Sequence, residues 1–504
     1  MVSDAPKETP RSEGAVYRKI ADSIRNRIAS GELGEGDRLP PIRALAGELG
    51  VNRDTISLAY DLLQAEGLVE GAVGRGTFVR ATVRAEPMAV TTRLGLAEAT
   101  ESLLRFDRGS PRHAVGSDVV SLHTLVPEPA LYPANEFRRA LNKVLSESGP
   151  ELLMYGGARG DPWLREVLAA RLRADSVGVS PEEVVLCHGA SQGISLALRL
   201  FAGHGDAIAV EVPTYGNVLS TLVALGLRPE AVPMRADGEG GCAPDLDAVD
   251  RVLARPDVKA FYTIPTFHNP LGTTTSLEHR EGLLAVAARH GKPLIEDAFE
   301  MDLRYEGVGV PSLAALDEQG LVVQLCSFSK SLFPGARAGA VVARGRVVEA
   351  LTALKRATDL SDSMPLQAAL ADLVTSGVYD RHLGRLRREL RARRDALVSA
   401  LERWMPEGTR WTRPEGGYQL WVDLPDDAFA LDTRDLLTAA AQAGVTFQPG
   451  SSFLPDGGPS RGMRLTVAQA DAVAIERGIE ALGSVVRARF AQDPAARQAA
   501  AVQL

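Results

Sequence analysis

Three cysteines in 504 residues are too few to build a disulfide framework. Cys187, Cys242 and Cys326 are widely spaced, odd in number and matched to no metal-ligand spacing. They read as buried thiols in a reducing cytoplasm, and no metal site is expected. No apolar run approaches the ~18–20 residues of a membrane helix, which excludes a helical membrane protein. The opening "MVSDAPKETPRSEG" has no apolar stretch either, so residues 1–13 read as a polar tail and not as a signal peptide. Positive charge is not in excess: 56 Lys and Arg against 64 Asp and Glu leave a net −8. Bulk charge therefore argues for no nucleic-acid partner, and any DNA contact has to be local. Internal repeats are absent as well.

What remains is a chain long enough for more than one domain, 45% hydrophobic and 24% charged, the composition of a soluble globular protein. Residues 14–80 form a compact unit. "VYRKIADSIRNRIASGEL" places apolar residues at 16, 20, 24 and 28, a helical repeat that Gly31 ends. "LPPIRALAGELG" puts prolines at a helix start and Gly50 at its end. "VNRDTISLAYDLLQAEG" follows, with Asn52 as N-cap and Gly67 as the stop. "LVEGAVGRGTFV" reads as two short strands around a glycine turn. Three helices and a hairpin make an α+β winged helix-turn-helix.

From 81 to 118 periodicity fades, and the stretch reads as a linker with one short helix near 95–106. From 119 to 488, short Val/Ile/Leu-rich runs alternate with amphipathic helices: "EVVLCHG", "DAIAVEVPTY", "AFYTIP", "KPLIEDAF", "LVVQLCSFSK". That alternation predicts a mostly parallel α/β sheet covered on both faces. Residues 489–504 read as a tail.

In such sheets ligands collect beyond the carboxyl ends of the strands, and here those ends are polar. "HGASQGISLALRL" opens a helix with small residues, whose free N–H groups suit a phosphate. Pro213-Thr214-Tyr215 offers a flat ring. Asn269 lies in "PTFHNPLG", Glu296-Asp297 ends another run, and "CSFSKSLFPGARAG" carries Lys330 and Arg337. Each has an ordinary structural explanation taken singly, for "NPLG" is a good turn by chemistry alone. Their succession on consecutive strand ends is what points to a ligand.

These residues carry a resemblance to the fold-type I aminotransferases, which use pyridoxal 5′-phosphate (PLP), over roughly 119–480. The resemblance implies a smaller C-terminal subdomain and a set of roles. Lys330, in "S-x-S-K", would form the Schiff base, and Asp297 would keep the pyridine nitrogen protonated. Asn269 would bond the phenolic oxygen and Tyr215 would stack on the ring. Ala190, Ser191, Ser327 and Arg337 would hold the phosphate. Tyr155, in "LMYGGARGDPWL", resembles a tyrosine contributed from the neighbouring subunit, which implies a homodimer. Arg464, in "RGMRLTV", resembles the clamp for a substrate α-carboxylate. One departure stands out. The family commonly carries a tyrosine two or three residues after the aspartate; here those positions are Phe299 and Glu300, and no tyrosine follows before Tyr305. Asn217, two residues after Tyr215, offers no second carboxylate-clamping arginine.

The head resembles the GntR-type winged helix-turn-helix through "GDRLPPIRALAGELGVNRDTISLAYDLLQAEGLVEGAVGRGTFV". The resemblance implies DNA contacts by Arg43, Asn52, Arg53 and Thr55, and by Gly74 and Arg75 at the wing tip. Over 14–80, however, nine basic residues face nine acidic ones. Either the charges segregate by face or two heads act together. Head and body in this order resemble the MocR group of bacterial regulators. A PLP-dependent, cytoplasmic transcriptional regulator is the expectation, with an amine, an amino acid or PLP as effector and a double-stranded operator of two half-sites. The alternative is a working aminotransferase with an accessory head.

Overall fold

The computed structural model describes residues 13–72, 76–80, 95–109, 119–238, 241–425 and 432–492. The chain divides into two compact units, Met1–Gly95 and Leu96–Leu504.

In the first unit, α1 (Glu13–Ala29), α2 (Ile42–Leu49) and α3 (Arg53–Ala65) precede β1 (Val69–Ala72) and β2 (Gly76–Val79). The caps follow sequence chemistry. Gly50 ends α2 in the left-handed conformation at φ 64°, and the Asn52 side chain accepts from the Asp54 N–H at the start of α3. The strands pair antiparallel with Val69 opposite Val79. Ile24, Leu39, Ile56, Leu63, Val69 and Val79 close a small core.

The second unit begins with α4 (Glu98–Gly109), so the stretch read as a linker carries a helix of the body, with Phe106 packed on a body core. An eight-stranded sheet follows. Its strands are β3 (Val184–Cys187), β4 (Ala207–Val212), β5 (Arg228–Asp237), β6 (Gly241–Pro244), β7 (Val258–Thr263), β8 (Leu294–Asp297), β9 (Val322–Ser327) and β10 (Gly339–Val342). The spatial order is β3-β10-β9-β8-β7-β4-β5-β6, parallel except for β10 and the edge strand β6. Two apolar clusters flank the sheet, as expected when strands are apolar on both faces. A smaller four-stranded sheet holds β11 (Arg410–Trp411), β12 (Gln419–Asp423), β13 (Gln448–Pro449) and β14 (Gly462–Thr466). The last helix runs to Gln492, past the body limit of 488 read from the sequence. Of the cysteines only Cys187 is fully buried; Cys242 and Cys326 are half-buried. No helix among the described residues is long and apolar enough to cross a membrane.

Candidate cofactor site and DNA-reading face

Strands β3, β4, β7, β8 and β9 run in one direction, so their C-terminal ends share one edge of the sheet. Asp297 ends β8. Its Oδ2 accepts from the Tyr262 hydroxyl at 2.6 Å, while Oδ1 is buried without a partner. Burial pushes this carboxyl up to about 6. Neighbouring buried carboxylates are better supplied. Glu211 accepts from Thr263 Oγ1 at 2.6 Å and from the Ile264 N–H at 3.1 Å, and Glu296 accepts from the backbones of Leu313 and Ala314 at 2.9 and 3.0 Å. Asp297 thus keeps a lone acceptor where Glu211 and Glu296 keep none, and a buried acceptor of that kind is costly unless a ligand donor fills it.

Lys330 follows β9. Its Nζ donates to the Leu125 carbonyl, and the Tyr418 hydroxyl donates to the Lys330 carbonyl at 2.7 Å. Burial pushes the ammonium down to about 8; Glu300 opposes that change, while Arg464 and Arg337 add to it. A lowered lysine is what attack on an aldehyde requires.

Helix α5 (Gly189–Phe201) opens directly after β3, with Gly189 at φ +75°. Ala190 and Ser191 fall in its first turn, where backbone N–H groups have no intrahelical acceptor. Arg337 reaches the same place: Nη2 donates to the His188 carbonyl at 2.8 Å, and a β-carbon at Gly189 would lie 3.3 Å from the guanidinium. Arg337 itself holds a left-handed φ of 41°, an uncommon conformation for a non-glycine residue. Ser327 ends β9, its Oγ accepting from the Ser329 N–H at 3.2 Å. Gly189→Val is expected to weaken PLP retention about tenfold or more, through left-handed strain and displacement of Arg337. A spectrophotometric titration with unchanged affinity would remove this turn from the phosphate site.

Arg464, on β14, is buried. Nη1 donates to Asn269 Oδ1 at 3.0 Å, Nη2 donates to the His123 carbonyl at 2.8 Å, and Nε has no partner. Burial lowers it to about 10. Asn269 and Arg464 are therefore held together. Tyr215 follows β4, immediately before helix α6 (Gly216–Leu225), and burial pushes its phenol up to about 12 with Asp297 adding to the effect. Phe299 packs on the same apolar cluster as Tyr215.

Tyr155 stands apart from this group. It is 80% exposed, and Leu153 and Met154 beside it are 75% and 70% exposed. Three consecutive large apolar side chains in water suit a surface that a second subunit covers. A cluster of His188, Asp359 and Asp362 has the spacing of a metal site, but Lys355 Nζ already lies 2.7 and 3.0 Å from its carboxylates.

Sequence reasoning missed Tyr262, Tyr418, Gln419 and Glu300. Tyr262 and Gln419 sit in strands whose apolar pattern reads as plain core, and no local motif marks them. The carboxyl at Glu300 registered only as an absent tyrosine.

In the head, Arg43, Asn52 and Arg53 are exposed, while Thr55 is buried at 7% exposure. Thr55 therefore packs inward, a correction to its assignment as a DNA contact: it begins the inward stripe of α3 that continues through Ile56, Ala59 and Tyr60. Gly74 and Arg75 lie outside the described residues. Arg25 pairs with Glu66 at 2.7 Å and with Asp22, and Arg27 pairs with Glu32 at 2.7 Å. Among the described residues Arg38, Arg43 and Arg53 form no ion pair, so the balanced charge is distributed unevenly.

An unfilled acceptor on Asp297, open amides beside Arg337 and a depressed lysine fit the pyridine N–H, the phosphate and the aldehyde of PLP. Comparison with known proteins agrees with this chemistry. The model of aminotransferase class I and II matches residues 128–482, and that of bacterial regulatory proteins of the gntR family matches 16–79. The uncharacterized HTH-type transcriptional regulator YisV of Bacillus subtilis is 31% identical over 485 residues, covering 95% of this chain and 97% of that protein. The probable rhizopine catabolism regulatory protein MocR of Rhizobium meliloti is 30% identical over 472 residues, covering 93% of each. Among solved structures, LysN of Thermus thermophilus, an alpha-aminoadipate aminotransferase complexed with N-(5′-phosphopyridoxyl)-L-leucine, superposes with a TM-score of 0.68. It is 31% identical and covers 79% of this chain and 96% of that one. The chain belongs to the aminotransferase class I and II family, and its gntR-family head places it among the MocR-type regulators.

Proposed function

We propose that the protein is a DNA-binding transcriptional regulator whose body holds PLP on Lys330 and senses PLP, an amine or an amino acid. The observation that carries this reading is the coexistence of a gntR head, with Arg43 and Arg53 exposed and without an ion pair among the described residues, and a body with an unfilled Asp297 oxygen and a depressed lysine, each following a strand of one sheet. When bound, PLP supplies an electrophilic carbonyl and an electron-withdrawing ring. Asp297 would hold the ring proton, Arg337 and the α5 amides the phosphate, and Tyr215 one ring face. Asn269 would take the phenolic oxygen, and Arg464 a carboxylate of the incoming ligand.

Exposed Leu153, Met154 and Tyr155 support a homodimer in which Tyr155 serves the partner's site. A dimer brings two heads to one operator, so the site should contain two half-sites, direct or inverted. Tethering also raises the effective concentration of the second head. A ligand changes DNA affinity only by favouring one arrangement of heads and bodies over another.

The completeness of the body, Arg464 included, favours a second reading as a working aminotransferase with an accessory head. Binding to the protein's own upstream DNA, measured with and without PLP, tests the first reading. Incubation with amino acids and 2-oxoglutarate, followed spectroscopically, tests the second. Many turnovers without any binding to that DNA would overturn the regulator reading.

A further inference from the structure

We propose that Tyr262 is a positioning residue for Asp297: its hydroxyl donates to Oδ2, which favours the carboxylate and leaves Oδ1 alone for the nitrogen of the cofactor ring. This rests on the cofactor reading above and gives a role to a residue that reading leaves idle.

The placement follows from strand register. Strands β7 and β8 pair parallel with Tyr262 opposite Ile295, and Asp297 lies two residues beyond Ile295. Residues two apart on a strand share a face, so Tyr262, Ile295 and Asp297 lie on one side of the sheet. The Tyr262 ring is fully buried in an apolar cluster with Ile295, Val323 and Leu325. Packing fixes the ring, and the phenol reaches forward to the strand end, where it donates to Asp297 Oδ2 at 2.6 Å. Among the described residues no other side chain donates to this carboxylate, and Oδ1 is buried without a partner. The adjacent acids are spent elsewhere. Glu211 is held by Thr263, Ile264 and His268, and Glu296 by Leu313, Ala314 and Gln324.

Electrostatics act in the same direction as the geometry. Around Asp297 stand Tyr262 of β7, Glu211 of β4, Glu296 of β8, Cys326 of β9 and Tyr215 after β4. Burial raises the Asp297 carboxyl, and Tyr262 is the first influence opposing it, followed by the Phe299 N–H; Glu211 and Glu296 add to burial. Tyr262 keeps its own proton, because burial pushes the phenol well above its usual range and Asp297 adds to that. It can therefore act only as a donor toward the carboxylate, and a hydrogen bond to the charged form favours that form. An ionised Asp297 can hold a proton on a ring nitrogen, whereas a carboxylic acid there cannot.

The test is PLP binding by equilibrium dialysis across about pH 5–9, in wild type, Tyr262→Phe, Asp297→Asn and the double variant. Without the phenol, burial is less opposed, so Asp297 takes up its proton at higher pH. The acid limb of the affinity profile in Tyr262→Phe should move up by about 1 pH unit, and affinity near pH 6 should fall about fivefold. In the Asp297→Asn background no carboxylate remains to be held, so adding Tyr262→Phe should change affinity by less than about twofold. An unmoved acid limb in Tyr262→Phe overturns the proposal. So does an equal loss in both backgrounds, which is what packing alone would give. Should Tyr262→Phe fail to fold, Tyr262→Met, also without a donor, is judged by the same two criteria. Wild-type protein that binds no PLP overturns the cofactor reading itself, whereas wild-type binding with an unmoved limb in the variant overturns only the assignment of Tyr262.

Discussion

Lys330→Ala protein is expected to stay colourless in excess PLP, with the visible band of the wild type lost entirely and the fold retained. The loss should be complete because Lys355, the lysine near the α5 turn, is already held by Asp359 and Asp362 at 2.7 and 3.0 Å, and the neighbouring strand ends contribute Asp297, Asn269 and Tyr215. Folding should survive for an electrostatic reason. Lys330 is the main opposite charge acting on buried Glu300. Without it, burial raises that carboxyl further, so it stays protonated at neutral pH and leaves no uncompensated charge inside. The open turn of α5 and Arg337 remain, so residual non-covalent PLP binding is compatible with the expectation. Absorbance after dialysis, with thermal melting as the folding control, makes the measurement. A retained band would move the cofactor lysine elsewhere.

Arg53→Ala is expected to weaken specific DNA binding by about 1–3 kcal/mol per contact, roughly 5- to 150-fold, while leaving the PLP spectrum unchanged. Arg53 is the first residue of α3, exposed, and without an ion pair among the described residues. Asn52 beside it already spends its side-chain oxygen on the Asp54 N–H, and Thr55 is turned into the core. Asp54 suits the positive end of the helix, which accounts for an acidic residue in a DNA-reading segment. Base reading by this turn is therefore expected to fall mainly on Arg53. Arg43, exposed on α2, is expected to act on phosphate, so that Arg43→Ala weakens binding across sequences and lowers the salt dependence. Footprinting on the upstream region, repeated at two salt concentrations, separates the two effects. An unchanged footprint for Arg53→Ala would remove it from the interface.

The legible parts of this protein are those whose physics is local. Asn52 and Gly50 announce helix ends because capping needs only neighbouring backbone groups. Apolar runs such as "AIAVEV" and "VVQLCS" announce buried parallel strands because both faces must be apolar. With strand direction set, polar residues at successive strand ends had to share one edge, and that brought Lys330, Asp297 and the α5 turn into view. Thr55 went astray because motif position says nothing of which way a side chain faces; the helical stripe decides that.

Sequence by itself determined the two-part architecture, the succession of strands with polar ends and the capped helix ends at Gly50 and Asn52, since each follows from periodicity or from contacts a few residues apart. Tertiary structure alone decided which charges are paired. Arg25 finds Glu66, Arg464 finds Asn269, and Glu300 finds Gln419 across long stretches of chain. The reason is that burial and the company a charge keeps, which set whether it holds a proton or awaits a ligand, depend on which distant segments the fold packs around it.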